Sequence, residues 1–341
     1  MNIYVISREG YDRLYWGERY MAGICDEAKS AGDSVIRLDT DRLGSVGKSY
    51  AIFLSSSCRW IGSVMSAAPD IRPILLTESV WPGVSFTTFD YAAGVRGLLE
   101  GFRSKGYSRT ALVSCNPDSL NDVAKKNEFI RCCGNESPVY YFHRSIGSQI
   151  FTEFIRDIEQ YDSVICTNDI ILFMLKKQLA AAGIDTSGFG FSSFGDRKLY
   201  RESKVNYALT DYYELGRSAV CCCRHLNGSR CDSTLSVRLG CKCDNVKLDG
   251  GSKVGTDSFG QLDFLDDSSA IFAQQLKFLL GGADSTDVEL LKLALEGCSY
   301  EEISGRLYMS VNSLKRRMKN MIETAGCASK NELIEILRQY L

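Results

Sequence analysis

The chain is expected to be an α/β protein with parallel sheets, followed by a small all-α segment at its carboxyl end. Three observations predict this. From residue 3 to about 255, short β-branched runs alternate with amphipathic helical stretches, as in parallel sheets covered by helices on both faces. A polar stretch rich in Gly, Asp and Ser over 256–267 then reads as a linker. Four short helical patterns fill 285–341. At 341 residues the chain exceeds one ordinary core, so two or three domains are expected.

The elements follow in order. Strands are expected at 3–7, 34–38 and 50–55, with a helix over 16–31 closed by Gly32. An apolar stretch at 61–68 precedes strands at 74–77 and 84–89. Asp90 caps a helix over 93–105 that stops at Gly106. Strands are expected at 110–113, 138–142 and 163–166, and helices over 148–160 and 170–182, the latter ended by Gly183. After the linker, 268–280 has Ile271, Phe272, Leu276 and Leu279 spaced for one helical face, and Gly281-Gly282 as its stop.

Composition is globular, with 45% hydrophobic and 24% charged residues and 5 Pro. The net charge of −2 means that any affinity for nucleic acid must come from a local patch. Met1 runs straight into the strand pattern at Ile3, with nothing like a signal peptide, and no apolar run is long enough to cross a bilayer. A cytoplasmic protein with no membrane partner is therefore expected, its 14 Cys reduced and many of them buried. Cys221, Cys222, Cys223, His225, Cys231, Cys241 and Cys243 cluster, but consecutive Cys on a helix diverge and no repeated C-x-x-C frame exists. No metal and no cofactor is expected. Cys241 and Cys243 would share one face of a strand.

Catalysis finds little support, because neither His143 nor His225 has a nucleophile or metal-ligand partner at a suggestive spacing. The stretch from Gly44 to Ser49 fails as a phosphate loop: Arg42 stands where the first Gly must be, and a strand follows where a helix should. A phospho-receiver would need an Asp where Ser55-Ser56-Ser57 stand.

The third terminal helix carries the strongest functional signal. Ser310, Asn312, Ser313, Lys315, Arg316, Arg317 and Lys319 share its polar side, opposite Val311, Leu314, Met318 and Met321. Such a helix buries one stripe and offers cations to phosphates and amides to base edges.

This segment resembles the LuxR-type helix-turn-helix domain. The residues that carry the resemblance are Glu289-Leu290-Leu291, Leu293, Gly297, Ser299, Glu302-Ile303, Leu307, Ser310, Ser313-Leu314-Lys315, Met321, Gly326 and Glu332-Leu333-Ile334. Ser299 with Glu302 forms a capping box, and Gly297 suits the turn before it. Asp287, Thr286 and Arg317 depart from the family's usual Glu, Arg and His, which bears on fine specificity. The resemblance implies that Lys315, Arg316 and Lys319 touch phosphates or bases, that Asn312 and Ser313 approach base edges, and that the fourth helix, 330–340, forms the dimer contact.

The first 255 residues resemble the effector domain of the lac repressor family, which shares the two-lobed fold of periplasmic sugar-binding proteins. Thr88-Phe89-Asp90-Tyr91, Gly94, Leu98 and Lys105-Gly106-Tyr107 look like the end of lobe one. Val164-Ile165-Cys166-Thr167-Asn168-Asp169 with Gly183-Ile184 is the most specific piece. Tyr212, Leu215-Gly216, Ala219 and Leu226-Asn227-Gly228 fit the late helix, and Val246-Lys247-Leu248 with Gly251-Ser252 the closing strand. The resemblance implies that Asp90, Lys125 and Asn168 face the inter-lobe cleft, Lys125 standing where the family has Arg. Asp196 lies beside a family acidic position that Gly195 occupies. Tyr11, Tyr15, Trp16 and Trp60 follow strands and could supply an aromatic wall. The family's amino-terminal headpiece is expected to be missing, because the strand pattern starts at Ile3.

The expected organisation is a ligand-sensing domain over 1–255, a linker with a helix over 256–282, and a DNA-binding domain over 283–341. The expected function is a transcriptional regulator in which a small polar solute, sugar-like in chemistry, modulates binding of a homodimer to double-stranded DNA. The alternative is a degenerate sensor that answers to a protein partner.

Overall fold

The computed structural model describes residues 1–8, 11–40, 43, 48–142, 151–195, 205–229, 233–244, 283–325 and 327–340. The linker and helix expected over 256–282, Asp196, His143, most of the Gly44–Ser49 stretch and the strand expected near Val246 lie outside these residues.

Two six-stranded sheets form the bulk of the chain. The first has the order β11-β5-β4-β3-β1-β2, built from β1 (Asn2–Ser7), β2 (Ser34–Leu38), β3 (Ser49–Leu54), β4 (Ile71–Leu75), β5 (Ser85–Phe89) and β11 (Ser236–Leu239). The second has the order β12-β10-β9-β8-β6-β7, built from β6 (Thr110–Cys115), β7 (Val139–Tyr141), β8 (Ser163–Cys166), β9 (Gly190–Gly195), β10 (Val205–Leu209) and β12 (Lys242–Asp244). Among the described residues every pairing between these strands is parallel except β10 with β12. Parallel strands are buried on both faces: all four residues of β8 are buried, and so are all six of β9, although four of those are Gly or Ser.

Seven helices accompany the sheets: α1 (Tyr15–Ser30), α2 (Cys58–Ala67), α3 (Tyr91–Arg103), α4 (Leu120–Cys133), α5 (Thr152–Arg156), α6 (Asp169–Ala181) and α7 (Tyr212–Gly228). The chain passes between the lobes three times: after β5 into α3, after β10 into α7, and from β11 to β12. Helices α1 and α7 cross so closely that a Cβ on Gly216 would lie 2.2 Å from the Tyr20 carbonyl oxygen. The third crossing is also tight. Cys241 and Cys243 both lie against α3, where Gly94 and Gly97 leave room for them, as the same-face reading expects.

Four terminal helices follow: α8 (Ser285–Leu295), α9 (Tyr300–Leu307), α10 (Val311–Ala325) and α11 (Lys330–Tyr340). Leu290, Leu291, Ile303, Leu314, Leu333 and Leu337 are fully buried and form the core of this bundle. That core is continuous with the core of lobe two, because α11 packs on α6. Six consecutive apolar residues, Ile170 to Leu175, let α6 bury one side on the sheet and another beneath α11. Helix α11, the expected dimer contact, thus also packs on α6 within the chain.

Three sequence expectations change. In place of one helix over 148–160, the described part has the five-residue α5 and a 3-10 turn at Ile158–Gln160. The strand expected at 74–77 starts earlier, at Ile71, with Pro73 inside it beside Ala51. Helix α4 and strands β9 to β12 had no counterpart in the hydrophobic pattern. Among the described residues no helix is long and apolar enough to cross a membrane.

Candidate functional site

A cavity of about 300 Å³ lies between the lobes, at the carboxyl ends of β1, β3, β6 and β8. Parallel α/β folds place ligand sites there, where strands end and helices begin. Ser57, Ser119 and Asn168 line it, and each caps a helix: Ser57 Oγ accepts from Trp60 N at 3.2 Å, Ser119 Oγ from Asp122 N at 3.3 Å, and Asn168 Oδ1 from Ile171 N at 3.0 Å. The amino ends of α2, α4 and α6 therefore converge on one space.

Lys125 lies on the cavity wall but its ammonium is engaged within the protein. It is 5% exposed, and its Nζ donates to Asp122 Oδ1 at 3.1 Å and to the Thr167 carbonyl at 2.8 Å. The rings of Tyr91 and Phe194 sit 4.7 and 4.9 Å from it. Burial pushes the Asp122 carboxyl above its usual range, while Lys125 and the Asn116 amide pull it back. Lys125 thus ties α4 to the loop before α6.

Two other wall residues hold unspent hydrogen-bonding capacity. Ser114 Oγ and Asn121 Oδ1 are buried in the cavity lining with no hydrogen-bond partner in the protein. Leaving such a group unpaired costs about 1–3 kcal/mol, so both keep capacity for a further polar partner at the cavity wall. Ser114 adopts φ 67°, a left-handed conformation unusual outside glycine, and the Thr167 hydroxyl donates to its carbonyl at 2.9 Å.

Aromatic rings close the hinge side. Tyr20 packs edge-on to Tyr212 at 5.4 Å, Tyr212 to Phe89 at 5.7 Å, Phe89 to Tyr91 at 5.9 Å, and Tyr91 to Phe194 at 5.7 Å. This chain of rings runs from lobe one to lobe two. Tyr11 lines the cavity from a 3-10 turn, and burial pushes its hydroxyl up to about 12 despite hydrogen bonds with Ser56 and Trp16.

The lobes also meet directly beside the cavity. Leu120 N donates to Ser56 O and Cys58 N to Asp118 O, both at 2.8 Å, around an antiparallel bridge between Ser57 and Ser119. Asp118 accepts from Ser57 Oγ at 2.5 Å and Arg59 N at 3.1 Å, and the Ser56 and Ser119 hydroxyls pair at 3.1 Å.

Of the ligand residues implied by sequence, Tyr11, Lys125 and Asn168 line the cavity. Asp90 does not: its carboxylate accepts from Ala93 N at 2.8 Å as the cap of α3, at the first crossing. Tyr15 is buried in the core, edge-on to Tyr212 at 6.4 Å, and Trp16 stands on the wall instead. Trp60 packs on Phe53 at 5.9 Å, away from the lining. Ser114, Asn121, Asp122 and Ser56 were missed, because nothing in their local sequence sets them apart from ordinary loop and helix residues.

On α10, Asn312, Lys315, Arg316 and Lys319 are exposed and Ser313 is half-buried, while Leu314, Met318 and Met321 are buried beneath them. Ser310 caps the helix, accepting from Ser313 N at 3.2 Å. Lys315 lies 5.7 Å over the Tyr300 ring, and Lys319 approaches Glu323 at 3.7 Å. Arg317 turns inward to Asp284 and Asp287, at 2.9 and 2.7 Å. Tyr308, in the left-handed turn before α10, is 95% exposed and was not singled out from sequence.

No family model and no curated protein sequence matches this chain. Solved structures do. A dimeric lac repressor with a C-terminal deletion aligns with TM-score 0.59 and 14% identity over 71% of this chain and 97% of its own. The transcriptional regulator CelR in complex with cellobiose aligns with TM-score 0.61 and 12% identity over 71% and 83%. A LacI-family regulator from Enterococcus faecium with bound ribose aligns with TM-score 0.54 and 16% identity over 72% and 97%. The chain therefore shares the two-lobed fold of LacI-family transcriptional regulators.

Proposed function

We propose that this protein is a ligand-responsive transcriptional regulator, with a two-lobed sensor over 1–255, a linker over 256–282 and a LuxR-type helix-turn-helix over 283–341. A small polar solute binds between the lobes without being turned over, and binding alters the affinity of a homodimer for double-stranded DNA. The observation that carries the reading is the exposed row of Asn312, Lys315, Arg316 and Lys319 on a helix whose other side is fully packed. That surface is free to enter a major groove, with Asn312 and Ser313 toward base edges and the cations toward phosphates.

Two further features support it. The capping box joining Ser299 and Glu302 is formed, with Ser299 N donating to Glu302 Oε2 at 2.7 Å. Arg317 and Asp287, both departures from the LuxR-type pattern, pair with one another, so one change accommodates the other.

A cavity between the lobes lined by Ser114, Asn116, Asn121 and Asn168 favours a small polar solute over a protein partner. Its volume of about 300 Å³ is at the small end for ligand sites and suits one polar ring with hydroxyls, stacked against aromatic edges. The neighbours that hold ribose and cellobiose share this solute chemistry.

The test is a mobility-shift titration of the full chain on duplex DNA at low salt, with Lys315→Ala/Arg316→Ala beside it. Weaker binding and a shallower salt dependence for the variant are expected, and equal binding by both proteins removes the DNA assignment. A thermal-shift screen of monosaccharides, nucleosides and amino acids tests the sensor separately.

A further inference from the structure

One residue on the cavity wall does not belong to the two lobes. Thr324, in the last turn of α10, lines the same space as Ser114, Asn121 and Asn168. We propose that Thr324 is part of the effector site, so that a solute in the cleft contacts the helix that bears Lys315, Arg316 and Lys319. The inference rests on the reading of the cavity as a solute site and of α10 as the DNA-contacting helix.

The placement of Thr324 is built into the packing. Helix α11 lies on α6, and one continuous apolar core joins lobe two to the terminal bundle. The other end of the relationship is Asn168, which caps α6 and lines the cavity. Helix α6 therefore positions the cavity wall with its first turn and the terminal bundle with its side. Ala325, next to Thr324, is fully buried in that bundle and anchors the end of α10. Thr324 itself is exposed enough to present a hydroxyl that both donates and accepts.

The consequence is mechanical. Arg316 and Thr324 are about 12 Å apart along one straight helix at 1.5 Å per residue. A solute that displaces Thr324 must move the whole helix with it, because Leu314, Met318 and Met321 lock α10 into the bundle. Solute and DNA are then linked through a shared element in addition to lobe closure. By thermodynamic reciprocity, DNA on α10 changes the contact of Thr324 with the cavity as much as the cavity changes DNA affinity.

The experiment uses the full chain and needs no identified solute. Thr324→p-benzoylphenylalanine is irradiated and its cross-linked peptides are mapped by mass spectrometry, with Glu301→p-benzoylphenylalanine, exposed on α9, as control. A smaller aliphatic diazirine at position 324 guards against displacement by the bulky ketone. Cross-links from position 324 to peptides holding Trp16, Asn121 or Phe142, with none from position 301, are expected. Adding a duplex of about three helical turns at low salt is expected to lower their yield by about fivefold or more. Cross-links confined to the terminal bundle with both probes overturn the assignment of Thr324 to the site. Cavity cross-links that ignore the duplex overturn the coupling. If no solute shifts the melting temperature while these cross-links form, the sensor reading fails and the docking of α10 stands.

Discussion

Ser57 and Ser119 pair across the cleft as an isolated antiparallel bridge, one from each lobe, each also the cap of a helix that starts at the cavity. The lobes are thus held together by their own backbone at the cavity edge, and Asp118 adds two acceptor contacts to the start of α2. These contacts within the protein hold the two lobes against each other beside the cavity.

Asp118→Ala is expected to loosen this latch. It removes the contacts to Ser57 Oγ and Arg59 N, which disfavours the closed arrangement by about 1–3 kcal/mol. Small-angle scattering of the solute-free protein should show a larger radius of gyration than the wild type, with secondary structure unchanged. Identical scattering curves would show that the latch does not govern closure.

Lys125→Met leaves the Asp122 carboxylate buried without its cation. Removing one partner of a buried pair costs about 3–5 kcal/mol at neutral pH. Burial already raises the Asp122 folded-state pKa above the unfolded value, so ionising this carboxyl costs more in the folded chain than in the unfolded one. The resulting penalty is absent below the unfolded pKa, grows as pH rises from there to the folded pKa, and is constant above it. Loss of Lys125 raises that folded pKa further, so urea titrations should show a variant deficit that is smallest in acid and widens as pH rises toward neutral. Asp122→Asn in the same chain should recover most of the loss at neutral pH. A deficit that does not change with pH would assign Lys125 a packing role only.

Arg317→Ala and Lys315→Ala should separate stability from DNA contact. Arg317 is half-buried between Asp284 and Asp287, and its loss should lower the stability of the terminal bundle by about 1 kcal/mol while leaving the salt slope of DNA binding in place. Lys315 is exposed, and its removal should reduce that slope by about one without lowering the melting temperature. A changed slope for Arg317→Ala would mean that it contacts phosphate after all.

Gly97→Ala should disturb the third crossing between the lobes. A Cβ there would lie 2.3 Å from Cys243 Sγ and 3.1 Å from its Cβ, so the thiol must turn away and α3 and β12 must give by a few tenths of an ångström. A loss of about 1–3 kcal/mol is expected on chemical denaturation. Gly97→Ala combined with Cys243→Gly should restore much of it, and failure of that rescue would place the strain elsewhere.

Much of the architecture could be read before any coordinates. The helices that begin at Asp90 and Ser299 start where their caps stand, because capping is a local contract between a side chain and the amides two or three residues on. Strands β1, β2, β3, β6 and β8 emerged because buried parallel strands need β-branched and apolar runs. Helix α4 was missed because its sequence, rich in Asn, Asp, Lys and Glu, has a weak apolar stripe, and β9 because Gly190 to Gly195 are mostly Gly and Ser. Neither segment announces burial; their neighbours supply it.

The sequence by itself determined the β-α alternation, the cap positions and the two-sided character of α10, all properties of residues within a few positions of each other. Only the tertiary structure decided which polar residues line the cavity, that Arg317 turns inward, and that Thr324 lines the same space as Asn168. Those outcomes depend on partners far apart in the chain, such as Lys125 with Thr167, 42 positions away, or Ser56 with Ser119, 63 away. Whether a buried hydroxyl is spent or free is settled by what packs opposite it, and packing is a property of the whole fold.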